Sequence, residues 1–159
     1  MECLSCKSIS GEKRISPGPI IYEGRYWLVE HAYPCAMKGR LVLVLKRHAE
    51  ALHELSGEEL RELAVLQWRF AGLLRRELGC EKEYSACFAE VEGFNHIHFH
   101  LIARPHDLPG DLRGTRIFAM LKPDEREPIP PNEIAEFCAS LRDKAASDGQ
   151  TNGGEGTDD

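Results

Sequence analysis

The stretch 95-NHIHFHLIARP-105 places three of the chain's seven histidines at every second position of an otherwise apolar run. Successive side chains of an extended strand point to opposite faces of a sheet. The stretch therefore predicts a strand with two different faces. One face is apolar and buried in a core, and the other carries a row of imidazoles from His96, His98 and His100.

The segments around this strand predict an α+β fold, in which a sheet of about five mainly antiparallel strands packs against one long helix. Ser56 and Glu59 have the spacing of a capping box at the start of that helix, and Gly79 has the position of its C-terminal cap. The predicted elements are a hairpin over 20–31, a strand over 40–46, the helix over 56–79, a strand over 83–91, the histidine strand and a C-terminal helix over 131–146.

At 159 residues the chain has the length of one domain. We expect this domain over 1–146, followed by a disordered acidic tail over 147–159, whose Gly, Asp, Thr and Asn content cannot bury a core. The tail from Asp148 onward holds four of the 26 acidic residues and none of the 20 basic ones, so the body is nearly neutral. Such a body indicates neither a nucleic acid nor a membrane partner. The first residues lack the pattern of a signal peptide, and we expect a cytoplasmic protein.

The row of histidines needs a functional explanation. A single histidine on a strand is usually a hydrogen-bonded structural residue, but three adjacent imidazoles repel one another when charged and need partners when buried and neutral. Two functional interpretations are possible. The row is either a metal face, on which zinc with an open position activates water, or a site in which one imidazole is a nucleophile and the others position it or hold phosphate.

A second motif bears on this choice. Cys3 and Cys6 form a CxxC pair, and zinc in structural sites takes four ligands. His48, which directly follows a predicted strand, and His96 are the candidates to complete the set. Two thiolates and two imidazoles would give a neutral, closed and therefore structural site, and would leave the other two histidines of the row free for chemistry.

The run 96-HIHFHLI-102 resembles the signature of the histidine triad superfamily. The order of hairpin, strand, capped helix and triad strand is similar too, over roughly 3–105. The CxxC pair resembles that of zinc-containing bacterial members, with some similarity to galactose-phosphate uridylyltransferases. The resemblance implies a histidine triad fold, a structural zinc held by the four residues above, a nucleotide or nucleotide conjugate as substrate, and a homodimer.

The resemblance also implies roles for individual side chains. His98 matches the nucleophile that attacks the α-phosphorus of a nucleotide derivative and forms a nucleotidyl-histidine. His100 matches the residue that contacts the phosphate and the leaving group. Arg40 stands where a fourth active-site histidine is usual, and its guanidinium can fork onto phosphate oxygens but cannot shuttle a proton. His31 stands in place of an aspartate that binds ribose, and Glu92 in place of a glutamine; ordinary surface positions are the alternative for both.

On this resemblance we expect a nucleotide phosphohydrolase, because hydrolases keep the third histidine of the motif, as His100 does, whereas transferase-like members tend to have glutamine there. A uridylyltransferase-like nucleotidyltransferase is the alternative, favoured by the zinc pattern and by the segment 52–68. A non-catalytic nucleotide-binding or interaction module on the same scaffold is a further alternative, and the departures at Arg40 and His31 motivate it.

Overall fold

A computed structural model describes residues 2–121 and 126–151 of the chain. Antiparallel pairing joins five strands into one sheet. The order across the sheet is β1-β2-β3-β5-β4, so the histidine strand β5 lies between β3 and β4. This arrangement confirms the predicted α+β fold. The strands are β1 (Tyr22–Glu23), β2 (Trp27–His31), β3 (Arg40–Leu45), β4 (Lys82–Ala86) and β5 (His98–Arg104).

The long helix begins and ends where the capping residues predict. The Ser56 hydroxyl accepts the Glu59 N–H, the Glu59 carboxylate accepts the Ser56 N–H, and Gly79 ends the helix in the left-handed conformation with φ of 60°. No helix in the described ranges is both long and apolar enough to cross a membrane. The α-helices are α1 (Leu4–Ser10), α2 (Gly57–Leu78) and α3 (Pro131–Thr151).

The apolar core lies between one face of the sheet and the helices α2 and α3. Trp27 and Leu43 of the sheet and Phe70 of α2 are fully buried in it, and Ile134 and Leu141 of α3 complete the same cluster. Burial of such side chains contributes roughly 1.5–3 kcal/mol each relative to exposure. The opposite face of β5 is therefore left for the polar side chains that alternate with the core residues.

Several boundaries differ from the sequence-based expectations. Strand β4 ends at Ala86 rather than 91, and beyond it Ala89 adopts a positive φ of 52°. Strand β5 begins at His98, two residues later than expected, because His96 bonds outside the ladder. Helix α1 was not predicted, and α3 continues to Thr151, into the segment expected to be disordered. The remainder of the predicted tail, 152–159, lies outside the described residues.

The carboxylate that caps α2 makes a testable contribution to stability. Glu59 is buried, and its oxygens accept hydrogen bonds from Arg47 Nε at 2.6 Å and Nη2 at 2.9 Å and from the Ser56 N–H at 2.7 Å. The Arg47 hydrogen bond lowers the pKa of Glu59 from its ordinary value near 4.5 to about 2. The carboxylate therefore stabilises the folded state above the unfolded pKa, and this stabilisation is lost as the pH falls toward 2.

Replacing Glu59→Gln is expected to lower the free energy of unfolding at pH 7 by about 2 kcal/mol, because the charged acceptor is lost. The difference from the wild type should narrow as the pH falls from about 4.5 toward 2, where the wild-type carboxylate also takes up a proton. Denaturant unfolding across this pH range measures both effects. Glu90→Gln, at an exposed position, is the matched control. A difference that stays constant with pH would contradict the assigned role.

Candidate zinc centre and active site

Four side chains from three distant parts of the chain converge beside the start of β5. Their ligand atoms all lie within 4.8 Å of one another: the residues are Cys3, Cys6, His48 and His96. The Cys3 Sγ to His96 Nδ1 distance is 3.5 Å, and Cys6 Sγ lies 3.4 Å from His48 Nδ1. A tetrahedral zinc with ordinary bond lengths would hold sulfur and nitrogen ligands about 3.6 Å apart. The donor set therefore fits a structural zinc, as the sequence predicted.

The hydrogen bonds of the two imidazoles agree with this role. His96 Nε2–H donates to the Leu45 carbonyl at 2.7 Å, and His48 Nε2–H donates to the Glu50 carboxylate at 3.2 Å. Both rings therefore direct Nδ1 toward the sulfurs, as metal ligands with fixed tautomers do. The Cys3 thiol also accepts the Cys6 N–H at 3.4 Å, at the start of α1.

The remaining histidines of the row lie on β5, opposite Val44 and Val42 of β3. His98 Nδ1–H donates to the His96 carbonyl at 2.7 Å, so the lone pair of His98 is on Nε2. Burial lowers the pKa of His98, which favours the neutral ring. The ring centroids of His98 and His100 are 4.9 Å apart. The two imidazoles are therefore in edge-to-face contact.

The guanidinium of Arg40 determines which nitrogen of His100 carries the proton. Arg40 Nη2 lies 3.3 Å from His100 Nδ1, and because a guanidinium only donates, Nδ1 must accept and the ring proton must be on Nε2. Burial, together with the charge of Arg40, lowers the pKa of His100 to about 3. His100 is therefore neutral at physiological pH and offers one N–H donor.

The guanidinium itself is enclosed. Arg40 is 9% exposed, and its Nε has no hydrogen-bond partner among the described residues. The ring of Phe118, from the 3₁₀ segment Gly114–Leu121, lies 5.4 Å from Arg40 Cζ and 5.4 Å from the His100 ring. Burial lowers the pKa of Arg40 to about 10, so the cation persists at neutral pH. A buried cation with an unused donor is suited to bind an anion.

A cavity of about 160 Å³ adjoins these groups. His98, His100 and Arg40 line one side, and α1 with the loop that follows it lines another. Glu30 of β2 also lines the cavity, is buried and lies with Oε1 2.5 Å from Arg14 Nη1. The cavity therefore combines apolar walls with a cation, a carboxylate and two imidazoles, which is the mixed character of a small-molecule site.

The structure does not support the surface alternative for His31. His31 is 1% exposed, its Nδ1–H donates to the Ala32 carbonyl at 2.8 Å, and its Nε2 accepts the Gly39 N–H at 3.1 Å. In the strand register His31 is opposite Leu41, a core residue, whereas Glu30 is opposite Val42 and shares the face of the His100 imidazole. Glu92, by contrast, is exposed.

Three side chains at the site escaped the sequence analysis. Glu30 had a signal, since alternation along β2 places it on the face opposite His31, once the register with β3 is known. Arg14 lies in a loop, and Phe118 lies on a 3₁₀ segment that follows the sheet. Neither of these two has a periodic pattern that would link it to the histidines.

Loss of one zinc ligand tests the metal centre. Cys6→Ser is expected to reduce zinc from one ion per chain to well below that, and to lower the melting temperature by roughly 10 °C, because zinc binding adds directly to folding free energy. Metal analysis by mass spectrometry and thermal unfolding measure the two effects. Cys87→Ser, at a half-buried thiol outside the cluster, is the control. Full zinc occupancy in the Cys6 variant would show that the cluster is not the metal site.

No family model and no curated protein matches the sequence. Solved structures do match its fold. A zinc-bound histidine triad family protein from Mycobacterium smegmatis has a TM-score of 0.63 and 20% identity, with 91% of this chain and 96% of that chain covered. A hypothetical histidine triad nucleotide-binding protein from Sulfolobus tokodaii has a TM-score of 0.69 and 17% identity, with 99% of this chain and 100% of that chain covered.

A third solved structure, a Hit-like protein from Bartonella henselae described as involved in cell-cycle regulation, has a TM-score of 0.67 and 19% identity, with 90% of this chain and 95% of that chain covered. These likenesses extend over nearly the whole of each chain and include a zinc-bound structure. With the sheet order, the histidine strand and the Cys–His cluster, they show that this chain has the fold of the histidine triad proteins.

Proposed function

We propose that the chain is a nucleotide phosphohydrolase that cleaves at an α-phosphate through a covalent intermediate on His98. The observation that carries the proposal is the hydrogen bond from His98 Nδ1–H to the His96 carbonyl, 2.7 Å long, which keeps the Nε2 lone pair available beside the cavity. The nucleotide-binding name of the Sulfolobus tokodaii protein, which has the same fold, supports a nucleotide as the ligand.

In the first step His98 Nε2 attacks the α-phosphorus, a nitrogen–phosphorus bond forms, and the bond to the leaving group breaks. The ring becomes positive as the new bond forms. The His96 carbonyl, which accepts the His98 Nδ1–H, stabilises that charge and holds the ring in line for attack. In the second step water attacks phosphorus, the pair of electrons returns to Nε2, and the nucleotide is released.

Arg40 and His100 act on the phosphate oxygens in this proposal. The unused Nε donor of Arg40 and the Nε2–H of His100 supply hydrogen bonds to negative charge, and burial makes the guanidinium more effective than it would be in water. Because both groups are in place before substrate binds, little reorganisation accompanies the reaction. The proposal thus gives Arg40 the phosphate-binding role that was predicted from the sequence.

The zinc centre supports this site without taking part in the chemistry. When bound, zinc would link α1 to the segment just before β5, through Cys3 and Cys6 on one side and His96 on the other. Helix α1 contributes Ser5 and Ser8 to the cavity wall. The His96 backbone carbonyl in turn orients His98. The metal therefore would hold the nucleophile and one wall of the cavity in their relative positions.

His98→Asn is expected to reduce turnover of nucleotide substrates by at least about a thousandfold, because asparagine cannot form the covalent intermediate. Mass spectrometry of rapidly quenched wild-type protein should show a nucleotidyl adduct that the variant lacks. Zinc content and melting temperature should remain at wild-type values, and His53→Asn, at an exposed position, should leave turnover unchanged.

Loss of zinc from the His98 variant would instead make His98 a ligand and would contradict the proposal. Nucleotide transfer to an added phosphate acceptor in preference to water would favour the transferase.

We also propose that two copies of the chain pair through α2 and β4. Helix α2 exposes an apolar face, with Leu60 45%, Val65 59% and Trp68 72% exposed. Strand β4 is at the edge of the sheet beside it, joined to α2 by a hydrogen bond of 2.9 Å between Gln67 and Ser85. An apolar helix face next to an open strand edge suits a second copy, because symmetric pairing would cover both at once.

Trp68→Glu is expected to convert a dimer into a monomer, because the substitution places a charge at the centre of the proposed apolar interface. Light scattering coupled to size-exclusion chromatography gives the mass of each species. Arg142→Glu, at an exposed position on α3, introduces the same side chain elsewhere and should leave the dimer intact. A wild-type protein that is monomeric at all accessible concentrations would rule out this interface.

A further inference from the structure

We infer that the active site is built for nucleotidyl phosphoanhydrides, whose leaving group departs as an anion, and that it discriminates against phosphoramidates, whose leaving amine must first gain a proton. This inference rests on the proposed function. It follows from the hydrogen bond between Arg40 and His100, which keeps the imidazole beside the nucleophile neutral.

The contact between Arg40 and His100 determines what His100 can do. Nη2 of Arg40, 3.3 Å from His100 Nδ1, is a donor that cannot accept, so the two groups stay bonded only while Nδ1 carries no proton. Protonation of His100 would break this bond and place two buried cations side by side. His100 is thus a fixed hydrogen-bond donor through Nε2–H and does not serve as an acid that delivers its proton and is recharged.

The other groups around the pair do not supply a proton either. His98 has its Nδ1–H on the His96 carbonyl, and the Phe118 ring that covers Arg40 and His100 is apolar. Glu30, on the same face of the sheet, is ion-paired with Arg14 and is no hydrogen-bond partner of either imidazole. In the described part of the chain, the polar and ring contacts of the two imidazoles thus contain no group that is protonated and free to give its proton at neutral pH.

The lack of a proton donor affects the two classes of substrate differently, and an anhydride can react without one. In an anhydride, attack by His98 Nε2 forms the nitrogen–phosphorus bond, and the bridging phosphorus–oxygen bond breaks with its electron pair on oxygen. The departing phosphate is already a stable anion and needs no proton. The buried guanidinium of Arg40 stabilises the negative charge that develops. Water then attacks the intermediate, the pair returns to Nε2, and the proton of water passes to product or solvent.

In a phosphoramidate the same attack breaks a phosphorus–nitrogen bond. The electron pair would be left on nitrogen, which is too basic to depart as an anion, so a proton must reach it in the transition state from an acid with a pKa near the working pH. A histidine at position 40, the residue implied by the resemblance at that position, could exchange such a proton with His100. Arg40 replaces that histidine with a permanent cation, which favours an anionic leaving group and removes the proton route.

The test uses two probes that differ in one atom. The full-length, zinc-loaded chain is given nucleoside 5′-(p-nitrophenyl phosphate) and the matching nucleoside 5′-phosphoro-(p-nitroanilidate), in which NH replaces the bridging oxygen, for each of the common bases. Dinucleoside tetraphosphates with the same bases represent the anhydride class. The wild type is expected to cleave the oxygen-linked probe and the tetraphosphate with kcat/KM at least about a hundredfold above that of the nitrogen-linked probe. Each ratio is first divided by the ratio of the same two compounds' rates in imidazole buffer without protein, which corrects for their intrinsic reactivity.

Variants at position 40 separate proton transfer from charge. Arg40→His should raise the rate on the nitrogen-linked probe relative to the oxygen-linked one by about tenfold or more, and this gain should decline as the pH rises above the pKa of the new histidine. Arg40→Gln, which can still donate to His100 Nδ1 but carries no charge, should slow both probes and leave their ratio near the wild-type value. Zinc content and melting temperature verify that each variant is folded.

The possible results are distinct. Equal or faster cleavage of the nitrogen-linked probe by the wild type, with an adduct on His98, would overturn the inference and leave the proposed function intact. An unchanged probe ratio in a folded Arg40→His variant would overturn the role assigned to Arg40. Absence of turnover and of any His98 adduct with every probe would overturn the proposed function, and this inference with it.

Discussion

The antiparallel register between β3 and β5 determines both which side chains form the core and which side chains face the cavity. It places Val44 opposite His98 and Val42 opposite His100, so both imidazoles lie on the face away from α2 and α3. It also brings Arg40, two positions along β3, within reach of His100. Because side chains alternate along a strand, a shift of one residue would turn the imidazoles into the core and the leucines toward solvent. The core and the candidate site therefore depend on the same register.

One hydrogen bond gives each histidine of the motif a separate chemical state. The Leu45 carbonyl takes the Nε2 proton of His96 and leaves Nδ1 for the sulfur cluster, whereas the His96 carbonyl takes the Nδ1 proton of His98 and leaves Nε2 for a substrate. Arg40 reverses the second arrangement at His100 by donating to Nδ1. Three identical side chains thus become suited to hold a metal, to attack, and to donate. Backbone and neighbours, rather than residue type, distinguish them.

Much of this was accessible from the sequence, because the signals are local. Period-two alternation predicted the histidine strand, and the Ser56 and Gly79 caps predicted the long helix. The grouping of Cys3 with His96, 93 residues away, needed both the preferences of zinc and the family resemblance. The burial of His31 could not be predicted, since it depends on which face of β2 the helices cover. Phe118 reaches the site through a 3₁₀ segment that has no periodic signal.

The burial of Arg40 carries a cost that bears on function. Arg40 Nε has no hydrogen-bond partner among the described residues, and burying such a cation beside Phe118 and a neutral imidazole costs more free energy than burying an apolar side chain of similar size. An anion bound in the adjoining cavity would accept a hydrogen bond from that nitrogen and offset the charge. In the proposed reaction, the guanidinium that holds His100 neutral therefore also favours negative charge at the leaving group. Donor geometry and electrostatics at position 40 thus favour the same class of substrate.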